Sequence, residues 1–194
     1  MAYTTAAKGA QTLENLVGGT FARKAAITII GSLFLAALSQ IQVPSYPVPV
    51  TLQTLAVMLI GLTFGFRLAT ATVALYLIEG LVGLPVFAGF SFGPAVFVGG
   101  TAGYLFGFLF AAALMGLMAD RGVTRSIPGM VATLLAGEVV IFGLGIAYLT
   151  YLYGFDNALA YGLYPFLFAD LVKMGLATLI GAGVIKGASR FAQL

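Results

Sequence analysis

Neither cysteine nor histidine occurs anywhere in the 194 residues, and only 8% of the chain is charged. The first two absences remove disulfides, thiolate chemistry and the commonest metal ligand together, and leave the redox compartment unreadable from cysteine. The scarcity of charge excludes an ordinary soluble domain, in which about a quarter of the residues are charged. With 61% of residues hydrophobic and a mean hydropathy of +1.08, the chain reads as a membrane protein. Nine basic against six acidic residues give a net charge of +3. Membrane topology accounts for that excess more simply than an acidic partner does, so nucleic-acid binding is disfavoured. The opening stretch MAYTTAAKGAQTLENLVGGT also lacks the apolar core and small-residue cleavage site of a signal peptide. Residues 1–22 therefore read as a polar cytoplasmic tail and residues 23–194 as one membrane domain.

What the chain does have is a series of apolar runs. At roughly 20 residues per spanning helix, its length leaves room for about six. Six are found, approximately over 25–40, 50–64, 68–83, 98–119, 128–152 and 163–185. The expected fold is an all-α, six-helix membrane bundle. Basic residues set its orientation, because cytoplasmic segments collect Lys and Arg. With the N-terminus inside, the inner segments hold Lys8, Arg23, Lys24, Arg67, Arg121, Arg125, Lys186 and Arg190, and the outer loops hold none. Both termini are then cytoplasmic, in a multi-pass protein of the cell membrane. No internal repeat or inverted pair of broken helices stands out.

The two outer loops are unusual for segments facing water. IQVPSYPVPV, residues 41–50, places Pro44, Pro47 and Pro49 within six positions, which fixes φ and removes donors, so an extended path is expected. GLPVFAGFSFGPAVFVGG, residues 83–100, sets Phe87, Phe90, Phe92 and Phe97 among glycines and prolines. Irregular apolar backbone near lipid is tolerated where it is buried in protein or lines a cavity. A lid over a cavity fits both loops, as does an aromatic wedge at the headgroup boundary.

Four ionisable residues fall within spans: Glu79, Glu138, Asp170 and Lys173. Each is costly there unless paired or facing water, which makes function the default hypothesis. Asp170 and Lys173, at i and i+3, can pair on one helix face. Pairing explains why they tolerate each other; it does not explain their presence, since apolar replacement of a buried pair is often neutral or stabilising. Asp170 lies about two turns below the outer end of the last span, with Lys173 one turn deeper. Glu79 also falls in the outer half, where a ligand contact and a structural role are both open. Glu138 is nearer mid-depth and reads as structural. A cyclic urea or amide would offer N–H donors to Asp170 and a carbonyl to Lys173 through charge-assisted hydrogen bonds.

Three stretches carry a family resemblance. QVPSYPVPVTLQTLAVMLIGLTFG (42–65), LYLIEGLVGLPVFAG (75–89) and FADLVKM (168–174) together resemble the BioY family, the biotin-specific substrate-binding (S) components of energy-coupling factor transporters. The resemblance implies a six-helix S-component fold that binds biotin near the outer face. It also implies, as partners, an energy-coupling transmembrane protein and two ABC-type ATPases that hydrolyse ATP. The family's Asp-x-x-Lys, which holds the ureido ring, matches Asp170 and Lys173. The first loop and the start of the second helix bring in Gln53. From the second loop onward, Ser91, Phe92, Thr101 and Tyr104 are candidate contacts. The chain departs from the family at GGTAGY (99–104), where many relatives read like GPTGGY, and in the absence of the loop arginine that some relatives place near the ligand carboxylate. S components dock on their coupling partner through small residues of the first helix, for which Gly18, Ala22, Ala26, Ser32 and Ala36 are available.

Two other functional classes are compatible with ionisable residues inside a membrane. An intramembrane enzyme would have Glu79, Glu138 and Asp170 for acid–base work, but the chain has no GxSxG motif and no metal-ligand cluster to accompany them, so no catalytic role is expected. A stand-alone, proton-driven carrier of a small amide- or urea-containing solute would use Glu138 or Glu79.

Overall fold

The structure, a computed structural model, describes residues 12–16 and 20–191, without the side chains of residues 15, 16 and 186–191. Among these it forms a helical bundle of α1 (Leu13–Leu16), α2 (Phe21–Ser39), α3 (Gln53–Phe64), α4 (Phe66–Leu81), α5 (Ala102–Asp120), α6 (Ile127–Tyr153), α7 (Phe155–Gly162) and α8 (Tyr164–Phe191). A short antiparallel ladder of β1 (Gln42–Val43) and β2 (Val50–Thr51) stands between α2 and α3. The proline-rich stretch expected to run extended is thus the connection of a small hairpin.

Four of these helices are long and apolar enough to cross a membrane: α2, α5, α6 and α8, the last over Tyr164–Ile185. The spans expected over 50–64 and 68–83 appear as α3 and α4, of 12 and 16 residues, which at 1.5 Å per residue fall short of a hydrocarbon core of about 30 Å. The shortness of α3 follows from its position. Ten of its twelve residues are buried, and α2, α4, α5, α6 and α8 all pack against it. A helix apolar on every side belongs in a core, and this one is the bundle's axis. The connection after α6, expected to be loop, contains α7. Gly154 turns the chain, and α7 then buries Ala158 and Gly162 against neighbours in α6 and α8.

The end of the bundle away from the hairpin is tied together by carboxylates. α3 and α4 are separated only by Gly65, whose φ of +87° suits glycine, and a Cβ there would stand 2.6 Å from Asp120 Oδ1. Asp120, the last residue of α5, accepts the Phe66 N–H through Oδ2 at 2.8 Å and the Thr12 hydroxyl through Oδ1 at 2.8 Å. Glu14 accepts the Arg67 N–H at 3.0 Å. Two carboxylates therefore cap the N-terminus of α4, where orphan donors and the helix dipole favour negative charge. The described part of the polar tail is docked here, with Thr12 buried. Asp120→Ala is expected to cost about 1–2 kcal/mol, the usual value of a cap, read as a lowered unfolding temperature in detergent, and Asp120→Asn less.

Candidate functional site

Phe166, Asp170 and Lys173 recur at helical spacing on the buried face of α8, which packs against α3. Where the two helices meet, the first turn of α3 presents Gln53 and Thr54. Asp170 is 3% exposed and Lys173 5%. Lys173 Nζ donates to Asp170 Oδ1 at 2.6 Å and to Thr54 Oγ1 at 2.9 Å. Thr54 in turn donates to the same Asp170 oxygen at 2.8 Å. The three polar groups close a triangle between the helices, and these hydrogen bonds meet part of the remaining valence that a buried ion pair must satisfy. The triangle leaves one ammonium N–H of Lys173 and one carboxylate oxygen, Asp170 Oδ2, without a partner.

Above the triangle lies a cavity of about 150 Å³. Its lower wall holds Lys173, Thr54, Gln53 and Phe166; the two loops close over it with Val48, Pro49, Ala88, Ser91 and Val96. Hydrogen bonds fix those loops. Gln53 Nε2 donates to the Tyr76 hydroxyl at 2.6 Å, and Tyr76 donates to the Val86 carbonyl at 3.1 Å. Ser39 reaches the same carbonyl at 2.6 Å, and Gln40 spans Phe87 O at 3.0 Å and Phe90 N–H at 3.0 Å. Phe87, buried, then meets Tyr76 edge-on with ring centroids 5.2 Å apart. On the far wall Tyr104 stacks with Phe166 at 6.2 Å and donates to Gly162 O at 2.8 Å.

The expected contacts divide. Lys173, Gln53, Ser91, Thr101 and Tyr104 line the cavity together, whereas Asp170 stands behind Thr54 and Lys173 and reaches the site through them. Glu79 is not brought there. It accepts from Ser32 on α2 at 3.0 Å, because its position in α4 turns it toward α2 and away from the lining. Phe92 is 55% exposed; the inward aromatic of that loop is Phe87. Glu138 is 7% exposed, with neither carboxylate oxygen paired, one turn below Ile141 of the cavity wall. Thr54 was missed. A threonine in an apolar helix carries no distinguishing mark, and only its place beside Gln53 pointed to it.

The small-residue stripe of α2 does not hold as one surface. Ala22 and Ala26 are exposed, but Ser32 is wholly buried against Glu79 and Ala36 packs on the core. At about 100° per residue, the six-residue step from Ala26 to Ser32 turns to a different face. Gly18 lies outside the described residues.

Comparison with known proteins places this geometry. Residues 7–190 match the BioY family. "Biotin transporter BioY" of Thermotoga maritima is 40% identical over 147 residues, 75% of this chain and 86% of that protein. "Probable biotin transporter BioY" of Pyrococcus horikoshii is 40% identical over 152 residues, 77% of this chain and 90% of the relative. The crystal structure of the S-component for biotin from an ECF-type ABC transporter superposes with a TM-score of 0.73 at 25% identity, covering 87% of this chain and 95% of that one.

Proposed function

The chain belongs to the BioY family, and on that premise we propose that it is the biotin-binding, substrate-capture subunit of an energy-coupling factor transporter for vitamin uptake. The observation that carries the reading is the floor of the cavity. One ammonium N–H of Lys173 remains unspent on the cavity wall, and behind it one carboxylate oxygen of Asp170, Oδ2, has no partner. A urea would offer its carbonyl to that ammonium, and its N–H to the carboxylate once Thr54 or Lys173 gives way, and both bonds would be charge-assisted in a water-poor site. Thr54 holds the two charges in register, Gln53 and Tyr104 border the ring's space, and Phe87 with the hairpin residues covers it. Capture of this kind forms no covalent bond, and the chain is not an enzyme.

The transport context follows from the same family. The short α3 and α4 join the four long helices in a six-helix bundle of the cell membrane. The basic residues Arg23, Lys24, Arg67, Arg121 and Arg125, at the end opposite the cavity, support the reading of that end, and with it both termini, as cytoplasmic. An energy-coupling membrane protein and two ABC-type ATPases would supply the ATP hydrolysis that empties the site, with Ala22 and Ala26 on the exposed side of α2 as the part of the stripe free to meet a partner. The stand-alone proton-driven carrier predicts the opposite energetics. Uptake by reconstituted vesicles is expected to stop on ATP depletion and to persist when the proton gradient is collapsed.

Calorimetry on the purified protein in detergent tests the binding claim. Biotin is expected to give saturable heat, and Thr54→Val to weaken binding by about tenfold or more, since hydrogen bonds to charged groups contribute about 1.5–3 kcal/mol. Thr54→Ser, which keeps the hydroxyl, should stay near wild type. Absence of saturable heat from the wild-type chain would remove the proposal.

A further inference from the structure

The ring of the ligand has partners at the cavity floor, but its other end meets no cation. Resting on the biotin reading above, we propose that this chain recognises the ureido ring and does not read the acyl end as an anion, so that amide- and ester-linked biotin is bound as well as the free acid.

The electrostatics of the lining carry the argument. Among the described residues Lys173 is the one charged side chain on the cavity wall, and its ammonium is engaged by Asp170 and Thr54 at the floor. The loops over the cavity, 41–50 and 83–100, contain no lysine or arginine, and the described basic side chains Arg23, Lys24, Arg67, Arg121 and Arg125 belong to the opposite end of the bundle. Near the mouth the polar groups are neutral: the Ser91 hydroxyl, already donated to Ala88 O at 2.8 Å, and Thr101. A carboxylate drawn below the loops would be buried without a counter-charge, which is far more costly than leaving it in water. The acyl end must therefore stay at the mouth, and what is attached to it there extends into solvent. The first turns of α3, beginning at Gln53, and of α5, beginning at Ala102, favour an anion, and a helix dipole at an exposed site discriminates only about two- to fivefold.

A place for a neutral extension lies next to that mouth. Tyr46, Pro47, Tyr153, Asn157 and Tyr161 enclose a second hollow of about 240 Å³. The hairpin connection separates the two spaces, with Val48 and Pro49 facing the cavity and Tyr46 and Pro47 facing the hollow. Among the described residues no charged side chain lines it. Asn157 donates its Nδ2 to Tyr153 O at 2.9 Å, which leaves its Oδ1 as an acceptor for an amide N–H.

The test is calorimetry on the detergent-purified full chain with biotin, biotin methyl ester and Nε-biotinyl-lysine. Affinities within about fivefold of one another are expected. A loss of thirtyfold or more for both neutral ligands overturns the inference while leaving biotin capture intact. Failure of all three alike would overturn the biotin reading, and this inference with it. Ser91→Arg adds a gain of function: biotin should tighten about tenfold relative to the ester, and an equal effect on both would show that the acyl end lies elsewhere. Tyr153→Ala with Tyr161→Ala should weaken the lysine conjugate several-fold and leave biotin unchanged; equal loss for the two ligands removes the hollow from the scheme.

Discussion

Lys173→Ala is expected to abolish biotin binding and to destabilise the protein in the same step. The substitution removes the donor that a ring carbonyl would use and strips the Asp170 carboxylate, 3% exposed, of its counter-charge. Breaking a buried pair from one side typically costs about 3–5 kcal/mol, because the charge left behind is uncompensated. Asp170→Asn strands the ammonium in the same way, relieved in part by Thr54. Removing both charges should behave differently. The double variant Asp170→Leu, Lys173→Met is expected to unfold at or above the wild-type temperature, since well-packed apolar residues often improve on a buried pair, yet to bind no biotin. Thermal unfolding in detergent with and without ligand reads both effects. Biotin at a hundred times its dissociation constant should stabilise the wild type by about 2.7 kcal/mol and the double variant not at all. If the double variant bound biotin within tenfold of wild type, the pair would be scaffolding and the site would lie elsewhere.

Depth in the membrane and direction around a helix are different quantities, and the sequence reports the first far better than the second. Apolar runs place every long helix, and counting residues puts Asp170 and Lys173 beneath the loops, where the structure has them. Glu79 was assigned a comparable depth, but a few residues' difference in register turns it to Ser32 and α2 instead of the cavity. The stripe through Ser32 fails for the same reason. In the second loop the count of aromatics suggested a lid, but four phenylalanines in irregular backbone do not say which points inward. That choice is made by Ser39 and Gln40 at the end of α2 and by Tyr76 of α4, two segments far apart in sequence. Thr12 and Glu14 look like solvated tail residues because their partners, Asp120 and the start of α4, are equally distant. Thr54 shows the limit most clearly, since its role exists only where α3 meets α8.

Gly80→Ala should therefore disable the lid while sparing the bundle. A Cβ at Gly80 would fall 2.0 Å from Phe87 Cζ, so the ring must leave its place. The ring is held edge-on between Tyr76 and Phe97, at centroid distances of 5.2 and 5.6 Å, and cannot slide along α4. It can move into the cavity that it lines or lift the loop away. Either path breaks the bond from Tyr76 to Val86 O and the bond from Gly93 N–H to Gly80 O, which is 2.7 Å long, and frees Gln53 from its orientation. Biotin affinity is expected to fall by about a hundredfold, the equivalent of roughly 2.7 kcal/mol. The unfolding temperature should fall less, because the atoms nearest an added Cβ at Gly80 all belong to Phe87 of the loop. A second substitution distinguishes a steric cause from a general loss of helix quality. Phe87→Leu is expected to weaken binding alone, but in the Gly80→Ala background it should recover part of the loss, a non-additivity that contacting residues show and distant ones do not. Additive effects of the two changes would mean that Phe87 does not rest on Gly80 and that the lid is held by other contacts.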